Sequence, residues 1–144
     1  MRDEIADQVW DAVDHWVEGR HEESVQILAT LAQTQTPSMM YGVACGIATV
    51  ARAALTKMHG HQSHDCFWGI KTPDGSRPED RVPPHHLFAA RFIAANLNND
   101  KDTALALYKA ACASDAPELW PACMHMLLAA TGEAVLAATA GGDR

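Results

Sequence analysis

The chain has no block of consecutive basic residues, and its 11 lysines and arginines are outnumbered by 18 aspartates and glutamates. The formal charge is therefore −7 at pH 7. Proteins that bind nucleic acid usually present a positively charged stripe to the phosphates. We therefore do not expect a nucleic-acid partner.

Targeting and membrane-spanning signals are also lacking. The acidic residues Asp3 and Glu4 lead directly into an amphipathic helical pattern, which is not typical of a secretory signal. The longest apolar run, from Met39 to Ala51, is shorter than the roughly 20 residues that a membrane-spanning helix needs. We expect a cytoplasmic protein that does not interact with membranes. Reduced and mostly buried thiols are then expected instead of disulfides, at Cys45, Cys66, Cys112 and Cys123.

Catalytic motifs are absent as well. No glycine-rich phosphate-binding loop follows a predicted strand, and no His-Glu-x-x-His helix is present. Cys66 lies close to His64, but proximity in the sequence does not provide the geometry that activates a thiolate. We therefore expect that the protein is not an enzyme.

An internal repetition is the most informative feature that the sequence does have. Two stretches share the same apolar spacing, and the helix-breaking residues Gly19 and Asn99 occupy equivalent places, 80 positions apart. Both residue types tolerate the left-handed backbone that ends one helix and lets another begin. Apolar residues recur at helical spacing, and alanine is abundant. The sequence predicts an all-α fold of six helices, arranged as two three-helix units, each a hairpin plus a helix.

We expect these units to form one compact domain, because a chain of 144 residues is long enough to bury a core of its own. Unit one is predicted at residues 1–58 and unit two at residues 85–140. A long insert, residues 59–84, is predicted to join helices 3 and 4. Gly132 is expected to kink helix 6 or to end it early, since glycine disfavours helix interiors.

The two predicted hairpins have a further similarity. The first, HWVEGRHEESVQILATLAQTQTP, has a small turn residue, then an acidic-acidic-small-apolar stretch, then a closing proline. The second, ANLNNDKDTALALYKAACASDAP, places Asn99, Asp102 and Pro117 equivalently. Both resemble the helical hairpin of tetratricopeptide repeats, a resemblance that implies peptide binding in a concave groove. The copies do not recur at that family's period of about 34 residues, so a degenerate relative and a convergent hairpin are both open.

The first part of the insert is rich in potential metal ligands. Three histidines, an aspartate and a cysteine fall within eight positions, His59 to Cys66, and all of these side chains bind zinc well. Their spacing does not match a standard zinc motif, so a solvated polar loop is the alternative. The candidate zinc ligands are His59, His61, His64 and Cys66.

The second part of the insert carries large apolar side chains that need cover. They either plug the junction between the units or form an exposed anchor, since tryptophan is enriched at binding hot spots. Together with a tyrosine of helix 3, they are predicted to edge a groove between the units that binds a partner. The candidate partner-binding residues are Tyr41, Phe67, Trp68 and Ile70.

Unit one offers a second candidate surface. Gly42 and Gly46, four positions apart in helix 3, leave a strip on which another backbone could approach closely, so a homodimer is an open alternative. Trp10 points away from the apolar face of helix 1. We expect it to be partly buried at the helix edge, with docking of a partner as the alternative.

These features favour a non-enzymatic interaction module or adaptor, built like a helical-repeat protein, whose partner is a protein or peptide. No cofactor is expected unless the insert binds zinc. A zinc-binding or metal-responsive protein is therefore the first alternative. A small-molecule pocket beneath the aromatic residues of the insert is the second.

Overall fold

The computed structural model describes residues 4–59 and 82–142, and these ranges contain six helices and no strand. The predicted all-α fold is confirmed. The helices are α1 (Glu4–Val17), α2 (His21–Thr34), α3 (Pro37–His59), α4 (Pro84–Leu97), α5 (Lys101–Cys112) and α6 (Leu119–Gly142).

The helices and turns repeat at the predicted offset, since α1 and α4 begin and end 80 residues apart. The turn residues Gly19 and Asn99 adopt positive φ angles of 84° and 58°. Each donates its amide to the carbonyl three residues earlier, at 3.0 and 3.1 Å. The next amide donates to the carbonyl five residues earlier, at 2.8 Å in both turns. These bonds satisfy the last carbonyls of the first helix in each hairpin.

Helices α3 and α6 form the centre of the molecule and make its most extensive helix–helix contact. The first helix of each unit also crosses to the last helix of the other unit, so that α1 packs on α6 and α4 packs on α3. The two units thus share one core. Its largest fully buried side chains include Phe92, Leu31, Met40, Ile47, Met124 and Leu127.

The two central helices are long and apolar. By length and composition alone, residues Pro37–Met58 and Leu119–Ala140 could each cross a membrane, and 44% of the apolar window of each is buried inside the protein. Helices α3 and α6 pack against each other, and both carry core residues at many positions.

Helix α6 continues through Gly132 to Gly142, so Gly132 does not end the helix early. Trp10 is 53% exposed, so about half of its surface is covered at the edge of α1, and it is among the exposed large hydrophobic residues of the described chain. The cysteines are less uniformly buried than expected: Cys123 is buried, Cys45 is half-buried and Cys112 is exposed.

Candidate functional site

Most of the candidate residues of the insert lie outside the described residues. This holds for the partner candidates Phe67, Trp68 and Ile70. It holds equally for the zinc candidates His61, His64 and Cys66, and for the side chain of His59, whose backbone ends α3. Within residues 4–59 and 82–142, no group of three or more metal-binding side chains comes together. The zinc site stays a prediction.

Tyr41, the remaining candidate, lines a groove between the two units. The groove has a volume of about 410 Å³ and is bounded by α3 on one side and by the α4–α5 hairpin on the other. We call it the inter-unit groove. Its lining residues are Tyr41, Cys45, Thr49, Arg52, Ala95, Asn96, Asn99, Asp100, Lys101 and Ala104.

A cluster of aromatic rings fixes the end of the groove at Tyr41. The Tyr41 ring centroid lies 5.2 Å from that of Tyr108 and 6.3 Å from that of Phe92, which it meets edge-on. The Tyr108 hydroxyl donates to the Pro37 carbonyl at 2.8 Å. Desolvation by burial raises the pKa of Tyr41 and that of Tyr108 to about 12. The phenol groups of both tyrosines are therefore uncharged near pH 7.

Three charged residues line the groove: Arg52, Asp100 and Lys101. Asp100 caps α5: its Oδ1 accepts from the Thr103 amide at 3.1 Å and its Oδ2 accepts from the Thr103 hydroxyl at 2.6 Å. These bonds lower the pKa of Asp100 and commit its carboxylate to the helix terminus. Arg52 and Lys101 are exposed and line the same groove. Asp100 keeps its negative charge near pH 7, so Arg52, Lys101 and Asp100 together leave the groove with a net positive charge, which favours an anion.

Cys45 in the groove wall is not an activated nucleophile. Desolvation by burial raises the pKa of its thiol, and this effect exceeds the opposing effects of Tyr41 and Lys101. Nucleophilic cysteines need a lowered pKa, because the thiolate is the reactive form. The groove is therefore better suited to binding than to covalent chemistry.

At the place that corresponds to this groove by the 80-residue offset, an indole ring fills the space between the helices. Trp16 is buried, stacks on His21 with a centroid distance of 3.9 Å, and meets His125 edge-on at 5.9 Å. Its Nε1 donates to a Glu133 carboxylate oxygen at 3.2 Å. A β-carbon at Gly132 would lie 2.7 Å from Trp16 Cγ, so only glycine fits there. We call Trp16, His21, His125 and Gly132 the Trp16 cluster.

The inter-unit groove contains the repeat equivalents of all four members of the Trp16 cluster. Asn96 stands in place of the tryptophan, and its amide nitrogen donates back to the Phe92 carbonyl of its own helix at 3.1 Å. Lys101, Cys45 and Arg52 take the places of His21, His125 and Gly132. A short polar side chain thus replaces a large planar one. The groove is open because nothing in the described residues takes the volume that the indole takes in the other half.

A smaller recess remains beside the Trp16 cluster. It lies between α2 and α6, has a volume of about 260 Å³ and is almost entirely apolar. His125 and Leu28 line it, and the repeat equivalent of Leu28 is Tyr108, which packs against Tyr41 in the other half. The two places therefore differ in chemistry: the recess is almost entirely apolar, whereas polar and basic side chains form part of the lining of the inter-unit groove.

Sequence reasoning missed the polar residues of the groove. Arg52, Asn96 and Lys101 look like ordinary surface residues of helices when they are considered one at a time. The signal that could have found them is the 80-residue offset, which aligns Asn96 with Trp16 and Arg52 with Gly132.

Comparison of this chain with protein-family models, with curated proteins and with solved structures finds no match.

Proposed function

We propose that the protein is a non-enzymatic interaction module that binds an acidic peptide segment, or the carboxyl terminus of a partner protein, in the inter-unit groove. Arg52 and Lys101 are its anion-binding residues, and Tyr41 forms its apolar end wall. The proposal does not depend on the resemblance to tetratricopeptide repeats.

The observation that carries the proposal is the difference between the two halves of one duplicated structure. One half closes the space between its helices with Trp16, and the other leaves about 410 Å³ open at the equivalent place. This volume falls within the usual size of ligand sites, roughly 300–1,000 Å³. The fold can fill the equivalent space, so an open groove with two basic side chains distinguishes this contact between the units from the one that Trp16 fills.

The chemistry of the groove favours a carboxylate ligand. Guanidinium and ammonium groups both form charge-assisted hydrogen bonds with carboxylates, and these are stronger than neutral ones. The chain as a whole carries a charge of −7. The one arginine and one lysine at the groove therefore give it a local charge of the opposite sign. Complementary local charge mainly sets specificity and association rate.

The experiment is a peptide-binding series measured by fluorescence anisotropy. Labelled peptides carry acidic, neutral or basic residues, each with a free or an amidated carboxyl terminus. We expect saturable binding of the acidic or free-carboxyl peptides, weakened by salt. Arg52→Glu and Lys101→Glu should each weaken it at least tenfold, about 1.4 kcal/mol.

The matched control is Lys109→Glu, the same charge change at an exposed position of α5 that does not line the groove. It should leave peptide binding unchanged. Absence of saturable binding to every acidic peptide would contradict the proposal. Equal weakening by Lys109→Glu and Lys101→Glu would also contradict it, because the overall charge and not the groove would then govern binding.

A further inference from the structure

The Trp16 cluster shows how this fold holds an aromatic ring between helices of the two units. One face of the Trp16 indole stacks on His21, with the two rings 15° from parallel, and His125 meets the indole edge-on. Gly132 lies at the end of the indole that joins the backbone, because a β-carbon there would stand 2.7 Å from Cγ and 3.1 Å from Cβ of Trp16. The indole is thus contacted on a face, at an edge and at its point of attachment.

The inter-unit groove has the repeat equivalents of the Trp16 cluster, but no described residue places a ring among them. Asn96, in the place of Trp16, has a shorter side chain, and its amide nitrogen donates back to a carbonyl of its own helix. Lys101, Cys45 and Arg52 take the places of the residues that surround the indole. About 410 Å³ is therefore open among residues that correspond to those around a ring.

The lining of the groove suits an aromatic ring supplied by a ligand. Ala95 and Ala104 line the groove and are buried, and their side chains are methyl groups. Tyr41 closes one end, and aromatic rings attract one another in edge-on and offset-stacked arrangements. Lys101 takes the place of His21, which stacks on the indole, and a cation over the face of an aromatic ring is attracted to it. The groove therefore favours an aromatic side chain over an aliphatic one of similar size.

The position of Arg52 brings a carboxylate-binding group close to the place of the ring. Arg52 takes the place of Gly132, which lies beside the Cβ and Cγ atoms of Trp16. In a chain-terminal aromatic residue the carboxyl carbon is two bonds from Cβ. A ring in the place of the indole therefore directs that carboxylate to the side of the groove where Arg52 lies. A guanidinium group holds a carboxylate through two parallel hydrogen bonds, so one residue that carries both groups satisfies both parts of the groove.

We infer that the inter-unit groove recognises the carboxyl-terminal residue of a partner protein, and that this residue is aromatic. The inference rests on the proposed function of the groove and names the residue that the groove reads. The ring lies against Lys101 and Tyr41, and the terminal carboxylate pairs with Arg52. Because this ring is not attached to α4, it lies farther from α3 than Trp16 lies from α6, and this leaves room for the β-carbon of Arg52.

A series of labelled peptides, measured by fluorescence anisotropy, tests the inference. The peptides share one sequence and a free carboxyl terminus, and they differ only in their last residue, which is tryptophan, phenylalanine, leucine or alanine. We expect the two aromatic termini to bind at least about tenfold more tightly than alanine, and more tightly than leucine, because of the ring contacts with Tyr41 and Lys101. Amidation of the tryptophan-terminal peptide, or moving its tryptophan to the middle of the same sequence, should remove this advantage.

The variant Asn96→Leu tests the place of the ring. Leucine occupies part of that place and leaves Arg52 and Lys101 unchanged. We therefore expect weaker binding of the tryptophan-terminal peptide and nearly unchanged binding of the alanine-terminal peptide, which also shows that the variant is folded. Gln26→Leu is the matched control, because it makes the same kind of change at an exposed position of α2 that does not line the groove. It should leave both affinities unchanged.

The outcomes separate this inference from the proposed function. If free-carboxyl peptides bind with equal affinity whatever their last residue, the inference is overturned and the proposed function stands. If no acidic or free-carboxyl peptide binds, both are overturned. A folded Asn96→Leu variant that keeps the full preference for an aromatic terminus would also overturn the inference, because the ring would then lie elsewhere. The peptide series on the unaltered protein decides the matter even if the variant does not fold.

Discussion

The indole ring of Trp16 lies directly against the backbone of Gly132, although the two residues are far apart in the sequence. A β-carbon at position 132 would stand 2.7 Å from Cγ of the ring and 3.1 Å from Cβ of Trp16. The ring is held on its other side by His21. It therefore has little freedom to move away from an added atom.

We expect Gly132→Ala to destabilise the protein. Overpacking of a core typically costs about 1–3 kcal/mol, and the gain in helix propensity from glycine to alanine recovers only about 1 kcal/mol. Denaturant unfolding of the dilute protein measures the difference. Gly42→Ala is the control, since its added carbon meets nothing within 4 Å, and it should raise the free energy of unfolding by up to about 1 kcal/mol. If the two alanine variants change the free energy of unfolding equally, the contact with Trp16 does not restrict which residue position 132 can hold.

The two turn residues should respond differently to the same change. Gly19 and Asn99 both have positive φ, and an alanine in this conformation costs roughly 1–2 kcal/mol. Gly19→Ala should therefore reduce the free energy of unfolding by about that amount. Asn99→Gly should leave it unchanged or raise it, because glycine adopts the left-handed conformation without steric cost. A loss of stability in Asn99→Gly larger than that in Gly19→Ala would show that side-chain contacts, not backbone conformation, govern these turns.

These turns also explain how much of the fold could be predicted. Gly19 and Asn99 indicate where helices end from their residue type alone, because glycine and asparagine tolerate the left-handed conformation. The positions of the helices follow from apolar spacing within each segment. Both kinds of signal reside in short stretches of sequence, and the six-helix prediction is confirmed for this reason.

The sites depend on residues that are distant in the sequence, and this is where prediction failed. The sequence marks Gly132 as a place where α6 could kink or end, because the helix-breaking tendency of glycine is local, whereas its contact with the ring of Trp16 is not. The exposed fraction of Trp10, 53%, depends on how α1 packs against α3, which the pattern of a single helix does not reveal. The inter-unit groove arises from small and polar residues at facing positions, which no single segment indicates.

The stability of the protein should fall at high pH. Burial raises the pKa of Tyr41 and that of Tyr108 to about 12, above the ordinary value of 10. Below pH 10 both the folded and the unfolded chain keep these protons. Between pH 10 and 12 the unfolded chain releases them first, so the free energy of unfolding decreases as pH rises. Denaturant unfolding across this range measures the decrease, and Tyr108→Phe should make it smaller. An unchanged slope in that variant would refute the role of Tyr108.

The three described cysteines should react with a thiol reagent in a fixed order. Cys112 is exposed and should react first. Burial raises the pKa of the Cys45 thiol, and desolvation together with Cys112 raises the pKa of Cys123 to about 11. Because the thiolate is the reactive form, Cys45 should follow and Cys123 should be last. Peptide mapping by mass spectrometry after timed alkylation distinguishes the sites. Reaction of Cys123 before Cys45 in the folded protein would be inconsistent with this packing.

Transplanting the Trp16 cluster into the inter-unit groove tests the relation between these two places in the structure. The double variant combines Asn96→Trp with Arg52→Gly. The new indole then faces a glycine, as Trp16 faces Gly132. Burying it should add about 1.5–3 kcal/mol to the free energy of unfolding and abolish peptide binding in the inter-unit groove. Asn96→Trp alone should gain much less, because any β-carbon at the glycine position collides with a ring seated in this way. The two substitutions are therefore expected to be strongly coupled in a double-mutant cycle. Additive effects would mean that the groove is not the open counterpart of the Trp16 cluster, and the case for a binding site there would lose its main support.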